Sequence, residues 1–152
     1  MALSPNTDFT AGAVLLASQQ NRFPRGLMAL VTNDTTDATI TVEEVQLTAT
    51  FTAVANRNYR IMYTEPQLGG SSATTCTARI RQTNITGTVL NSNTVGITSI
   101  TLPFNSIVYS IAPISAGSQT VVATLQYSAG TGTATRSATR LAYLTVEDLG
   151  PA

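Results

Sequence analysis

The residues of this chain that could do chemistry are two adjacent pairs of acids and one cysteine. Glu43 and Glu44 are neighbours, as are Glu147 and Asp148, and Cys76 is the single cysteine. Two carboxylates can serve a glycosidase if both reach the same substrate. On a strand, however, adjacent side chains point to opposite faces, so neither pair can share a substrate. We therefore interpret these acids as solvated residues of turns or edges.

The chain contains no histidine and no lysine, because all eight basic residues are arginine. Ser-His-Asp and Cys-His arrangements, Schiff bases and the lysine of a P-loop are thereby excluded. Zinc lacks a ligand set, and Cys76 is expected to be a buried, inert thiol. Asp34 and Asp37 could offer oxygens to calcium, but an Asx-type turn is the preferred interpretation. The sequence predicts a protein that is not an enzyme and has no cofactor or metal.

Charges are scarce and unevenly distributed along the 152 residues. Only 11% of residues are charged, and the 54 residues from Gln82 to Thr135 carry no charge, whereas roughly a quarter of residues are charged in typical domains. The formal net charge is zero, which argues against binding to nucleic acid or to anionic lipid. No apolar run approaches the roughly 18 residues of a membrane span. Such a surface suits packing against other copies or other proteins.

Alternation of apolar and polar residues predicts about eight strands after Gly26. The predicted strands are 27–31, 45–52, 59–63, 76–81, 86–90, 107–111, 121–127 and 142–146. Turn residues separate them, among them Asn91-Ser92-Asn93 and Gly130-Thr131-Gly132. Short strands joined by polar turns predict an all-β fold, a two-sheet antiparallel β-sandwich of the jelly-roll type.

An N-terminal arm is predicted to precede the sandwich. We assign residues 1–25 to the arm and residues 26–152 to the β-sandwich domain. Within the arm, Thr10 could cap a short helix over residues 11–20, which Pro5 and Pro24 would confine.

The tyrosines and arginines of the predicted strands are expected to have structural roles. The tyrosines keep the alternation and predict core or interface packing before a sugar-binding platform; they are Tyr59, Tyr63, Tyr109 and Tyr127. The arginines predict salt bridges, or bonds to a partner's backbone, rather than a nucleic-acid groove; they are Arg57, Arg60, Arg79 and Arg81.

The predicted strands lack the charges that usually protect sheet edges. Val121 beside Val122, and Leu141 beside Ala142, place apolar atoms on both faces of a strand. Either these strands are buried on both sides or the surface is adhesive. A closed symmetric homo-oligomer resolves this conflict most simply.

Three segments of the chain resemble small structural proteins of tailed bacteriophages, commonly labelled minor tail or fibre proteins. Residues 9–15 and 21–26 (FTAGAVL and NRFPRG) resemble the opening of these proteins. Residues 51–61 (FTAVANRNYRI) resemble their central pattern, and residues 144–151 (LTVEDLGP) their closing motif. The resemblance implies a compact β-sandwich that forms a homotrimer within a virion assembled in the host cytoplasm.

The function implied by the resemblance is that of a non-enzymatic virion structural protein. Its partners would be other copies of the chain and virion proteins such as the major capsid or tail proteins. A head decoration or cement protein fits best, because the chain has no heptads, collagen-like triplets or repeat that could build a fibre shaft. The alternative is a tail fibre or minor tail protein, a knob that binds a host receptor or glycan through loops 67–74 and 129–135.

The resemblance also points to residues for assembly: Arg22, Pro24, Arg25, Glu147 and Asp148. The arm would clamp onto the virion or onto a neighbouring subunit. Its two arginines and the two acids have opposite charges, and they could pair where the arm meets the C-terminus.

Overall fold

The computed structural model describes residues 12, 14, 16–20, 23–98 and 106–152, which form eleven strands and one short helix. The elements are α1 (Ala17–Gln20), β1 (Gly26–Asn33), β2 (Asp37–Ile40), β3 (Glu44–Ala53), β4 (Arg57–Glu65), β5 (Leu68–Gly70), β6 (Thr74–Gln82), β7 (Val89–Ile97), β8 (Ser106–Pro113), β9 (Gly117–Tyr127), β10 (Gly132–Ala134) and β11 (Ala142–Pro151). The predicted all-β class is confirmed.

The strands form two four-stranded antiparallel sheets and one small sheet. The order in the first sheet is β1-β11-β4-β8, in the second sheet β3-β9-β6-β7, and in the small sheet β2-β10-β5. Strand pairs are nested, because β1 pairs with β11, β3 with β9, β4 with β8, and β6 with β7. This nesting is the signature of a jelly roll, a long hairpin folded over into two sheets. The predicted two-sheet jelly roll is therefore confirmed.

Alternation along the strands builds the core between the two large sheets. Tyr59, Ile61 and Tyr63 of β4 are fully buried from the first sheet. The ring of Phe51 in the second sheet lies 5.4 Å from that of Tyr59. The Tyr59 hydroxyl accepts a hydrogen bond of 2.8 Å from the backbone N–H of Val54, so the buried phenol is satisfied.

Three short strands were missing from the sequence prediction: β2, β5 and β10. With three or four residues each, they are too short to show alternation. They pair with one another rather than with the large sheets. Gly130-Thr131-Gly132, predicted as a turn, ends inside β10.

The predicted strand over residues 86–90 is misplaced. A turn occupies its first residues, where the Asn84 side chain accepts a hydrogen bond of 2.9 Å from the Thr86 N–H. β7 then continues through Asn91-Ser92-Asn93, which the sequence assigned to a turn. These polar residues are tolerated because β7 is an edge strand with one side open to solvent.

The helix predicted over residues 11–20 is helical only at Ala17–Gln20 among the described residues. Gly12 has a φ of 81°, in the left-handed region, and lies outside the helix. Thr10 and Pro5 lie outside the described residues.

Valines 121 and 122 are both buried within the monomer, at 0% and 3% exposure. On the outer face of the second sheet Val122 lies opposite Arg81, whose long side chain runs across this face to Glu43. Leu141 is half-buried and Ala142 is buried. Of the two alternatives, burial on both sides is therefore the one that applies to these valines. They do not require an oligomer, and the homo-oligomer stays a prediction.

The small sheet packs so closely over Tyr127 that only glycine fits at position 132. A Cβ atom there would lie 2.1 Å from Cε2 of the Tyr127 ring. The Tyr127 hydroxyl donates to the carbonyl oxygen of Thr133 at 3.3 Å, which holds the ring in place.

We expect Gly132→Ala to lower the free energy of unfolding by about 1–3 kcal/mol, because the ring or the small sheet must move. Urea denaturation followed by circular dichroism measures the change. Gly96→Ala in β7 is the matched control, since a Cβ there meets nothing within 4 Å. Equal stability of both variants would contradict the close packing.

Candidate functional site

Charged residues in the two large sheets are concentrated on the central strands. The four edge strands, β1, β3, β7 and β8, carry a single charged residue, Glu44. The central strands β4, β6 and β11 carry seven, which are Arg57, Arg60, Glu65, Arg79, Arg81, Glu147 and Asp148. Since edge strands usually hold the protective charges, this distribution is the reverse of the usual one.

Arg57 and Asp148 form a buried ion pair between β4 and β11. The arginine Nε lies 2.6 Å from one carboxylate oxygen and its second nitrogen 2.8 Å from the other. The same guanidinium donates to the carbonyl oxygen of Phe23 at 2.5 Å, and the Gly150 N–H donates to Asp148 at 2.8 Å. The arm and the C-terminal strand thus meet at this pair.

The pairing expected between the two arginines of the arm and the acids Glu147 and Asp148 stays a prediction, because only one of the two arginines lies among the described residues. Asp148 is 1% exposed and is bound by Arg57, so it is not a solvated acid. Pro24 and Arg25 are exposed just before β1, and neither Glu147 nor Asp148 pairs with Arg25 in the described part of the chain. Arg22 lies outside the described residues.

Arg60 and Glu147 pair on the outer face of the first sheet, where the Arg60 Nε donates to the carboxylate at 2.8 Å. The two residues stand directly opposite in the β4–β11 register. Their side chains are 48% and 29% exposed. Glu147 is therefore partly exposed and bound by Arg60, and its role in assembly stays a prediction.

Glu43 is the centre of a second charged cluster, on the outer face of the second sheet. It accepts bonds of 2.7 and 2.8 Å from Arg81 and of 2.6 Å from the Thr124 hydroxyl, and Arg79 lies 3.2 Å away. The bonds from Arg81 outweigh the effect of burial, so the pKa of the Glu43 carboxyl is lowered. The salt bridges expected for the strand arginines are confirmed, and Glu43 is not a solvated turn acid.

Glu44 lies in a different environment from its neighbour. One of its carboxylate oxygens is buried and has no hydrogen-bond partner among the described residues. Burial raises the pKa of Glu44, and the charge of Asp37 adds to this effect. The two adjacent acids thus do not act as a pair.

A buried network that the sequence analysis missed joins the small sheet to the first sheet. Arg136 and Glu65, 5% and 0% exposed, form an ion pair, in which the Arg136 Nε lies 3.0 Å from a Glu65 oxygen. Arg136 also donates to the Gln46 side chain at 2.6 Å. The Tyr63 hydroxyl donates to Glu65 at 2.5 Å, and burial holds the Tyr63 pKa well above its usual value. The available signal was Arg136 itself, the charge that ends the uncharged run.

The outer face of the first sheet is apolar and exposed. Register places Leu27 in one row with Ile111, Leu30 in the next with Tyr109, and Tyr143 in the third with Ile107. The six side chains are between 38% and 57% exposed. Half-buried Met62 lies opposite Tyr109 in the middle row. We call these seven residues the apolar face.

A polar groove lies at the small sheet, where loops 67–74 and 129–135 come together. Ser71 and Thr131 join the loops through two bonds of 2.9 Å. The groove has a volume of about 500 Å³ and is lined by Ala38, Gln67, Leu68, Gly69, Gly70, Ser71, Thr131, Thr133 and Thr135. Its hydroxyl and amide groups can donate and accept hydrogen bonds.

Cys76 and Asp37 have the structural roles expected of them. Cys76 is buried, and burial raises the pKa of its thiol to about 11. Asn33 and Asp37 each accept a backbone hydrogen bond from the residue two positions later, as in Asx turns. No three potential metal ligands cluster among the described residues. The described helix is too short to cross a membrane.

Neither a protein-family model nor a curated protein sequence matches the chain. Among solved structures, a CBM4 structure aligns with a TM-score of 0.40 and 14% identity, over 78% of this chain and 94% of its own. Eiger TNF from S. frugiperda aligns with a TM-score of 0.40 and 13% identity, over 86% and 94%. Tailspike protein 4 of bacteriophage CBA120 aligns with a TM-score of 0.38 and 11% identity, over 84% and 19%. Likenesses of this strength do not specify a function for this chain.

We expect Arg136→Met to lower the free energy of unfolding by about 3–5 kcal/mol, because it leaves the buried Glu65 carboxylate without its partner. Arg60→Ala is the control, since an exposed ion pair contributes about 1 kcal/mol or less. Equilibrium denaturation measures both variants. Equal losses of unfolding free energy in the two variants would contradict a larger contribution from the buried ion pair.

Removing the Glu43 charge should change how stability depends on pH. Because the folded-state pKa of Glu43 lies below its ordinary value of 4.5, its ionised form adds stability above that pH, which is lost as the pH falls through the folded-state pKa. The stability difference between the wild type and Glu43→Gln should therefore narrow on acidification. Urea melts at a series of pH values measure it, and a difference that is constant with pH would refute the assignment.

Proposed function

We propose that this protein is a non-enzymatic structural protein of a bacteriophage virion, a surface-exposed homotrimer that decorates the head and is anchored by its N-terminal arm. The observation that carries the proposal is a jelly roll whose strand arginines are paired internally and which exposes apolar side chains on the arm and on one sheet. Surfaces of this kind suit permanent contacts better than an isolated monomer.

The arm supports an anchoring role. Val14 is 85% exposed, Leu16 60% and Phe23 37%, so apolar side chains precede the sandwich without being covered by it. Bound to a groove on another virion protein, they would lose this contact with water.

The root of the arm is well placed to carry load. The Phe23 carbonyl is held by Arg57, which is itself fixed by Asp148. A pull on the arm therefore reaches β4 and β11, the two central strands of the first sheet. In this proposal Asp148 acts through Arg57 and not by direct contact with a partner.

A second candidate function is a tail fibre or minor tail knob that binds a host receptor or glycan. The polar groove at the small sheet favours it, because the side chains of Gln67, Thr131 and Thr133 could bond sugar hydroxyls. Small residues dominate the lining, whereas binding energy is usually concentrated in aromatic and arginine anchors. We therefore prefer the decoration role.

Immunogold labelling of intact particles of the phage that encodes the chain tests the location. Label over the head is the expected result. Label at the tail tip, together with binding of the purified protein to a glycan array, would support the second candidate instead. Particles without label would contradict both.

We expect Arg25→Glu to weaken binding to particles about tenfold or more, with an unchanged melting temperature, because Arg25 is exposed at the root of the arm. Arg140→Glu is the matched control, because Arg140 lies just before the end of β11 that pairs with Asn33 of β1. The arm joins β1 at its other end, at Gly26, opposite Asp148. Co-sedimentation with particles lacking the protein measures binding. Equal losses of binding and folding would refute an anchoring role of the arm.

A further inference from the structure

We infer that the apolar face of the first sheet is the surface through which copies of this chain contact one another. The inference rests on the proposed homotrimer and adds the surface that builds it. The partner is a second copy of the chain.

The size of the face is suitable for a subunit contact. Four strands about 4.8 Å apart and about seven residues at about 3.4 Å give a face of roughly 19 by 24 Å. Side chains corrugate it, so the face supplies much of the about 800 Å² that each partner contributes to a standard interface. Within this area the seven apolar side chains lie among Arg60, Glu147, Thr64 and Thr145.

The charges beside the apolar face favour a second copy of the chain as the partner. Arg60 and Glu147 lie among the residues of the apolar face on the same side of the first sheet, and their charges cancel. Two copies can therefore meet without net repulsion. Arg60 of one copy can pair with Glu147 of the next copy, and Glu147 of the first copy can pair with Arg60 of another copy. A strongly charged partner would find nothing complementary on this face.

The sheet edge next to the apolar face also lacks protective charges. β8 is the open edge of the first sheet, it carries no charge, and its outward side chains Ile107, Tyr109 and Ile111 are each more than half exposed. The neighbouring edge of the second sheet, β7, is also uncharged. This side of the sandwich comes from the long uncharged run of the sequence, so nothing there opposes close approach.

The outer face of the second sheet provides the contrast. There Thr50 bonds Thr120 at 3.1 Å, Thr77 bonds Thr94 at 2.9 Å, and Glu43 is saturated by its arginines. This face satisfies its own polar groups and exposes hydroxyls to water. Val45 and Val89 are exposed on this face, whereas the first sheet exposes six large apolar side chains that gain from being covered.

Sedimentation equilibrium of the full chain tests the inference. The wild type should have about three times the 15.9 kDa mass of one chain. Tyr109→Lys should weaken association about a hundredfold, because it places an unpaired charge in an apolar contact. Tyr109→Phe should leave the mass unchanged. Thr52→Lys, on the exposed outer side of β3 in the second sheet, is the matched control and should also remain associated.

The outcomes separate this inference from the proposed function. A Tyr109→Lys protein that is folded but monomeric supports the interface, even if no particle is found to carry the protein. A Tyr109→Lys protein as associated as the wild type overturns the interface, even if the protein labels phage heads. A monomeric wild type, or dissociation by Thr52→Lys alone, also overturns it.

Discussion

A charge buried in a sandwich must keep its counter-charge, and two such pairs hold this jelly roll together. Arg57–Asp148 joins β4 to β11 at one end of the first sheet, and Arg136–Glu65 joins β4 to the segment after the small sheet at the other. Removing one partner of such a pair is far more costly than losing an exposed ion pair. The register of β4, the exit of the arm and the position of the small sheet all depend on these contacts.

The same contacts explain why the surface is short of charge. The arginines and acids of the central strands are used to join strands, and the edge strands are left with Glu44 alone. The second sheet covers its exterior with the Glu43 cluster and threonine pairs, whereas the first sheet has one exposed ion pair among apolar side chains. A protein built in this way satisfies its interior contacts but leaves apolar side chains exposed. The proposed virion role depends on that exposed apolar surface.

Much of the fold could be predicted from the sequence, but the site could be predicted only in part. Alternation identified β3, β4, β6, β9 and β11 because each turns one row of apolar side chains to the core. It missed the three-residue strands β5 and β10, and it misread polar Asn91-Ser92-Asn93 because an edge strand needs no second apolar face. Pairings such as Arg136 with Glu65 join residues 71 positions apart, and sequence alone does not give that proximity. The burial of Val122 beneath Arg81 could not be predicted either, because it depends on which residues of neighbouring strands lie side by side.

Hydroxyl-radical footprinting of the unmodified protein tests most directly whether copies of the chain cover the apolar face. Met62 and Tyr109 should be oxidised more slowly at a concentration where the chain associates than after dilution, while Val42, 66% exposed and away from the face, should react at the same rate in both. Equal oxidation of Met62 and Tyr109 at every concentration would contradict the account.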